Sequence, residues 1–292
     1  VRVPRHNAAF CNEHYVAHIQ HQVQRTIHEF AMFTPEEPVL LAVSGGKDSM
    51  ALWHILNALG YTVHAVYLES GFGAFSEESA AAVEAFGAQH ELGRRVVSVK
   101  DQVGFSFEQA RSHSGKSPCS LCGTLKRYVL NRLGREVSAV LATGHNLDDE
   151  ASFLMNNVLN WQMGYLERQS PVLPAEAGMC RRTKPLVRVT DAETARYCEL
   201  VGIEPTRAGC PYADGVTSHF YKDVLQEVEE HAEGIKAAFY LGFLRKLQPI
   251  LSGRREGREP DPHVCPECGY KTMNPERCFV CTLREKVAQS TD

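Results

Sequence analysis

The sequence predicts an α/β protein built on a doubly wound parallel sheet, and three observations carry that reading. Short apolar runs at 39–43, 62–68, 95–100 and 137–142 alternate with amphipathic stretches at about 50–59, 77–91 and 121–133. That alternation is the pattern of parallel strands joined by crossover helices. The first run leads directly into Ser44-Gly45-Gly46-Lys47-Asp48-Ser49, a glycine turn between a buried strand and a helix start. The helix that follows presents Leu52, Ile55, Leu56 and Leu59 on one face and is stopped by Gly60. Sheets of this kind bind ligands at the carboxyl ends of their strands. The hexamer 44–49 occupies such an end.

Its chemistry suits phosphate. Glycines let the backbone approach an anion, exposed N–H groups point at it, and the helix dipole favours negative charge. It is not a Walker A loop, which needs glycine where Leu41 stands and Ser or Thr where Asp48 follows the lysine.

Along the rest of the chain, a helix is predicted over 12 to about 33, with Tyr15, His18, Val23 and Ile27 on one side and Thr34-Pro35 as its end. After the fourth strand, a segment marked by Pro171, Pro174 and Pro185 reads as a loop or crossover. Thr190 and Glu193 form a capping box for a helix that runs to about 201 and stops at Gly202. Helices follow over 217–230 and 234–247, then a charged, Gly- and Pro-containing linker at 252–262. The domain organisation expected is an N-terminal segment (1–33), the α/β domain (34–250) and a C-terminal module (251–292).

Composition narrows the class. No apolar stretch approaches the ~18 residues of a membrane span, and the N-terminus lacks a signal pattern. A net charge of −4 means that any basic surface for nucleic acid must be local. The places for it are Arg181, Arg182, Lys184 and Arg188, or Arg254, Arg255 and Arg258, which read equally well as solvated loop charges. Of ten cysteines, six fall in Cys-x-x-Cys pairs, the spacing of metal ligands or redox dithiols in a reducing compartment. A cytoplasmic location is expected.

Cys265, Cys268, Cys278 and Cys281 place four thiolates on two tight loops, the ligand set of a structural zinc site. Too few apolar residues surround them to build a core alone, so metal is expected to be part of the folding energy of this module. Cys119 and Cys122 open a helix inside the α/β domain, and Cys210, between Gly209 and Pro211, is the best third thiol. Cys180 and Cys198 are weaker candidates, Cys198 lying mid-helix as a buried apolar residue would. Three thiols beside a phosphate loop fit an iron–sulfur cluster with one iron free of protein, a redox trio passing sulfur, or zinc with a fourth ligand elsewhere.

With these residues in hand, the chain resembles the tRNA 2-thiolation enzymes of the pyrophosphate-loop ATPase superfamily. The likeness rests on Ser44–Ser49, Cys119-x-x-Cys122, Cys210, Lys126-Arg127-Tyr128, Gly144-His145-Asn146-Leu147-Asp148-Asp149-Glu150-Ala151 and the terminal four cysteines. The terminal module sets it with the uridine-modifying subgroup. Arg5-His6-Asn7-Ala8-Ala9-Phe10-Cys11 and Gln169-Ser170-Pro171-Val172-Leu173-Pro174 have the character of the T-loop uridine 2-sulfurtransferases.

The resemblance implies a Rossmann-like ATPase domain with a zinc-ribbon module. It implies ATP on Ser44, Gly45, Gly46, Lys47, Asp48 and Ser49, with adenine against backbone near Ala42, Val43, Tyr67 and Leu68 and with Gly144 at the site. Uridine would be adenylated with release of pyrophosphate, and sulfur would then replace AMP to give 2-thioribothymidine. A 4Fe–4S cluster on Cys119, Cys122 and Cys210 would hold the sulfur, Asp48 and Asp149 would handle Mg²⁺, and Lys126 would stabilise charge. The partners implied are tRNA, a ubiquitin-like thiocarboxylate carrier and a second copy of the chain. The family also has an N-terminal zinc site, of which Cys11 and His14 supply one ligand pair here.

Other readings remain at the level of sequence. Wobble-uridine thiolation uses the same chemistry, a lysidine-type ligase shares the ATP loop without needing the three cysteines, and a zinc-ribbon RNA-binding adaptor would need no turnover. Asp148, Asp149 and Glu150 also read as an acidic helix start, and Lys126 and Arg127 as solvated charges.

Overall fold

The computed structural model describes residues 1–212, 217–253 and 263–290. A short antiparallel pair, β1 (Arg2–Val3) with β2 (Ala8–Ala9), leads into helix α1 (Asn12–Glu29). The central sheet then begins with β3 (Val39–Val43), α2 (Lys47–Ala58), β4 (Val63–Glu69), α3 (Ala74–Gln89) and β5 (Arg94–Ser98). Three helices, α4 (Val99–Val103), α5 (Phe107–Ser114) and α6 (Pro118–Glu136), return the chain to β6 (Val140–Thr143). Helices α7 (Leu147–Leu159) and α8 (Met163–Leu166) precede the short strands β7 (Val172–Leu173) and β8 (Arg182–Thr183). Helices α9 (Asp191–Val201), α10 (Thr217–His231), α11 (Ile235–Lys246) and α12 (Gln248–Gly253) complete this part. The terminal module contributes β9 (His263–Val264), β10 (Lys271–Thr272) and α13 (Phe279–Gln289).

Strand order across the sheet is β5-β4-β3-β6-β8-β7, parallel throughout except for β7 against β8. The chain builds outward from β3 to β5 and then returns to the other side of β3. The crevice between β3 and β6 is therefore the topological switch point, where such sheets bind ligands. The two faces are covered as a doubly wound fold requires. Val39, Leu41 and Val43 point into a core shared with Tyr15, Ile19, Trp53 and Tyr197. Leu40 points the other way, into a core with Val129 and Leu133 of α6. A third cluster joins Leu147, Ala151 and Leu154 of α7 to Tyr240 and Phe243 of α11.

Several sequence expectations shift. On α1 the buried face is Tyr15, Ile19, Val23 and Ile27, with Ile19 in place of His18, and the helix ends at Glu29 because Ala31 takes a left-handed turn at φ 46°. The fourth strand starts at Val140, not at 137. Helix α6 runs to Glu136, Ser138 turns left-handed at φ 51°, and the Ala139 N–H closes the helix on the Gly134 carbonyl at 2.9 Å. The proline-marked segment holds two paired strand residues on each side, β7 and β8. The capping box at Thr190 and Glu193 forms, and Gly202 closes α9 in the left-handed region. Residues 254–262 of the expected linker lie outside the described residues.

The apolar side chains of the terminal module, expected as the third unit of the chain, pack against α6. Val280, Leu283 and Val287 pack in the same cluster as Leu125, Val129 and Leu133 of α6. Arg284 Nε donates to the Val103 carbonyl at 2.8 Å, and Arg135 donates to the Gly269 carbonyl at 2.8 Å.

Candidate active site

The phosphate loop is shaped by two glycines that nothing larger could replace. Gly45 is left-handed at φ 79°, and a Cβ there would lie 2.8 Å from the Ser79 carbonyl oxygen. Gly144, at the end of β6, faces the Ser49 backbone nitrogen, which a Cβ would meet at 2.8 Å. The loop after β6 therefore lies directly against the start of α2, as the switch-point topology requires. Inside the loop the Ser44 N–H donates to Ser49 Oγ at 3.1 Å, and Ser49 Oγ donates to the Gly46 carbonyl at 3.0 Å. The α2 N-terminus is capped by Gly46 without a side-chain cap, and its free N–H groups are the donors an anion would use.

A polar network surrounds this loop. Lys47 Nζ lies 2.8 Å from Asp48 Oδ2 and 2.7 Å from Asp191 Oδ1. Asn146 Nδ2 donates to Asp48 Oδ1 at 3.1 Å and to Asp191 Oδ1 at 3.4 Å, and Thr194 Oγ1 donates to Asp48. Burial alone would lower the Lys47 pKa, but the two carboxylates outweigh it and raise it. Burial would raise Asp191, and Lys47 brings it down instead. Beneath them, the buried Asp148 pairs with Lys236 and accepts the Asp191 N–H at 2.8 Å, while Lys184 and Tyr240 both contact Glu150.

Asp48 faces the loop lysine, whereas Asp149 caps α7 through the Asn146 N–H and pairs with Lys222. Ala42 and Val43 end the central strand, with Val43 in register with Tyr67 of β4 and Leu68 following it. The Tyr67 hydroxyl donates to the Ser76 carbonyl at 2.8 Å. His145 is exposed, its Nδ1 2.8 Å from Thr143 Oγ1. Asp191, Thr194, Lys222 and Lys236 were not singled out from sequence. Only Asp191 and Thr194 had a local signal, since they follow the Thr190 cap, and that signal says nothing of Lys47.

The sulfur side lies beyond the carboxyl ends of β4 and β5. A cavity there is lined by Glu69, Ser98, Phe107, Cys122 and Lys126, among others. Cys119 is exposed, and Cys122 and Cys210 are half-buried. Burial raises the Cys122 thiol, Cys210 and Cys119 raise it further, and Lys126 opposes them through charge and a hydrogen bond. Among the described residues the three sulfurs do not gather within the 4.8 Å that a single ion would need, and only the four terminal cysteines do. A donor set of three sulfurs beside a cation fits a cluster larger than one ion better than a closed zinc site.

The four terminal cysteines behave differently. Their sulfurs all lie within 4.8 Å of one another, with Cys268 and Cys278 at 3.5 Å. Tetrahedral zinc with Zn–S bonds of ~2.3 Å needs sulfurs ~3.8 Å apart. Burial and neighbouring sulfurs push Cys278 up to about 11, and they push Cys281 up as well. At Cys265 burial also pushes up, but backbone N–H donors outweigh it and bring the thiol down to about 6. Four crowded sulfurs of this kind fit a divalent ion that offsets their charge. At the N-terminus, Cys11 Sγ lies 3.1 Å from His14 Nδ1, a pair to which no third ligand is added among the described residues.

Three of the four cations of the first expected basic patch are paired, Arg181 with Glu37, Arg188 with Glu29 and Lys184 with Glu150, while Arg182 on β8 has a buried Nε without a hydrogen-bond partner among the described residues. The second, at 254–258, lies outside the described residues. No helix among the described residues is long and apolar enough to cross a membrane.

Comparison with known proteins accords with this geometry. The PP-loop domain model matches residues 17–204. The tRNA-5-methyluridine(54) 2-sulfurtransferase of Thermus thermophilus is 40% identical over 280 residues, covering 96% of this chain and 86% of that protein. The chain belongs to the tRNA 2-sulfurtransferase branch of the PP-loop family. The sulfurtransferase of the same name from Pyrococcus horikoshii is 37% identical, with 87% of this chain and 82% of that protein covered. The solved U34-tRNA thiolase NcsA of Methanococcus maripaludis, with its [4Fe-4S] cluster, has the same fold. Its TM-score is 0.79 at 23% identity, over 97% of this chain and 91% of that one. In this PP-loop sulfurtransferase, residues 44–49 follow the carboxyl end of β3, and Cys122 lines the cavity at the carboxyl ends of β4 and β5.

Proposed function

We propose that this protein is an ATP-dependent tRNA sulfurtransferase that makes 2-thiouridine in the T-loop. One observation carries the reading: segment 206–212 spans from the phosphate loop to the thiols. The Thr206 N–H donates to the Gly45 carbonyl at 2.9 Å, and the Cys119 thiol donates to the Tyr212 carbonyl at 3.2 Å. The two halves of the site that adenylation and sulfur delivery would need are thereby neighbours.

In this scheme the α2 N-terminus and Lys47 hold the β- and γ-phosphates. Lys47 must then exchange its carboxylate partners for phosphate oxygens, which frees Asp48 to handle Mg²⁺. Asp149, held by Lys222, adds to the negative field of the same crevice. The uracil C2 oxygen attacks the α-phosphorus, the bond to the β-phosphate breaks, and pyrophosphate leaves. Sulfur then attacks C2 and AMP departs, the adenylate having turned a poor leaving oxygen into a good one. Lys126, beside Cys122, stabilises the anionic sulfur and the developing charge at C2. A 4Fe–4S cluster held by Cys119, Cys122 and Cys210 would supply a metal-bound sulfide. Zinc on the terminal four cysteines would hold the module in place.

The sulfur would come from a thiocarboxylate carrier, the protein would work as a dimer, and the setting would be the cytoplasm. Incubating anaerobically reconstituted protein with tRNA, ATP, Mg²⁺ and sulfide tests the reaction. Mass spectrometry of the digested tRNA should show 2-thioribothymidine, with AMP and pyrophosphate as co-products. ADP and phosphate as the main products would overturn it.

A further inference from the structure

Cys210 sits in chain that has neither helix nor strand of its own. Such a thiol would sample many positions unless something fixes its loop. Two residues on, Tyr212 is held from three directions. Its hydroxyl donates to Glu108 Oε1 at 2.7 Å, while the other oxygen of Glu108 accepts from Arg111 at 2.9 Å. Its ring meets Phe72 at 5.3 Å and Phe107 at 5.4 Å, and those two rings meet edge to face at 4.7 Å. Its carbonyl accepts the Cys119 thiol. The three rings come from three separate stretches: the turn after β4, the first turn of α5, and the Cys210 loop. The α5 end is itself set by a capping box between Ser106 and Gln109.

We propose that Tyr212 is a positioning residue that brings Cys210 to Cys119 and Cys122. This deepens the sulfur-site reading above and rests on it. Two peptide steps reach at most ~7–8 Å between Cα atoms. Because the Tyr212 carbonyl itself accepts from Cys119, pinning the Tyr212 side chain confines Cys210 to the neighbourhood of that thiol. The phenol and the ring do separable work. The hydroxyl fixes the loop to α5 through a charged acceptor, and the ring seats it on Phe72 and Phe107.

The test uses the reduced, iron-free full chain and dibromobimane, which bridges two thiols only when they are close. Bridged peptides are mapped by mass spectrometry. The Cys119–Cys122 bridge, three residues apart on α6, is the internal reference. Wild type should give bridges from Cys210 to Cys119 or Cys122. Tyr212→Ala should lose them severalfold while the reference bridge and the thermal midpoint are unchanged. Tyr212→Phe, which keeps the ring, should fall between. Iron bound per chain after anaerobic reconstitution should follow the same order. A Tyr212→Ala protein that bridges Cys210 as well as wild type would overturn the positioning role. A wild type that gives no Cys210 bridge would overturn the three-thiol site itself, and with it this role.

Discussion

Lys47 Nζ and Asp191 Oδ1 lie 2.7 Å apart across 144 residues of sequence. The contact joins the phosphate loop to the first turn of α9 and sets how the loop lysine waits for its ligand. Lys47→Ala should weaken ATP binding about ten- to a hundredfold, the loss expected for one charge-assisted hydrogen bond of ~1.5–3 kcal/mol. Asp191→Asn should have the opposite sign or none, because it removes a carboxylate that competes with phosphate for the ammonium. Calorimetric titration distinguishes the two. An affinity loss in Asp191→Asn equal to that of Lys47→Ala would mean that Asp191 holds the nucleotide, not the lysine.

Gly144→Ala should damage the same site by steric means. The new methyl would stand 2.8 Å from Ser49 N and 2.9 Å from Ser49 Cα, backbone atoms that cannot rotate away. Separating α7 from α2 should cost about 1–3 kcal/mol, the usual range for overpacking, and should lower ATP affinity. Gly242, inside α11 with open space around its Cα, is the control. Gly242→Ala should be neutral or stabilising, by up to ~1 kcal/mol from helix propensity. Equal unfolding midpoints for the two variants would contradict the close approach.

Much of this was legible in the sequence because it is local. The strand–turn–helix at 39–58 combines a buried apolar run, two glycines and a helical period, each readable within a few residues. The same holds for the capping box at Thr190 and Glu193 and for the paired Cys-x-x-Cys loops. The fourth strand begins later than the sequence predicts because Val137-Ser138-Ala139 runs into Val140-Leu141-Ala142 with no charge, glycine or proline between them, and only the left-handed turn at Ser138 divides them. Helices α4 and α5 escaped notice because they are short and broken by Gly104. The long-range half of the site gave no signal. Nothing near Asp191 points to Lys47, and nothing near Tyr212 points to Glu108 or Phe72, because those contacts exist only once the sheet has assembled.

His54 makes stability pH-dependent on the face of the sheet away from the thiols. Its Nδ1 lies 2.8 Å from the Tyr197 hydroxyl, which also accepts from Gln20 Nε2. Burial lowers the His54 pKa below its ordinary 6.5, and nearby His90 lowers it further. The unfolded chain therefore binds a proton that the folded one resists. Stability is fully present above pH 6.5, falls as pH drops below it, and levels off once below the folded pKa. The melting temperature should decline between pH 7.5 and 5.5. His54→Gln, which stays neutral and can still accept from Tyr197, should flatten the decline. An unchanged slope in that variant would remove His54 as a cause.

Removing metal from the terminal cysteines should loosen more than the terminal module. Val280, Leu283 and Val287 lie in the core cluster that includes Leu125, Val129 and Leu133, and Arg284 holds the Val103 carbonyl. Each buried aliphatic side chain contributes about 1.5–3 kcal/mol, so undocking α13 would expose a large part of the α6 face. Hydrogen exchange in the chelated protein, or in Cys268→Ala, should rise over 263–289 and also over 107–114, since α5 packs on α13. Exchange in α2 and β3 should change little, because most of their buried side chains belong to the core on the opposite face. ATP binding should survive, while iron uptake at Cys119 and Cys122, on the first turn of α6, should fall. Exchange confined to 263–289, with iron uptake intact, would show instead that the module folds apart from the sulfur site.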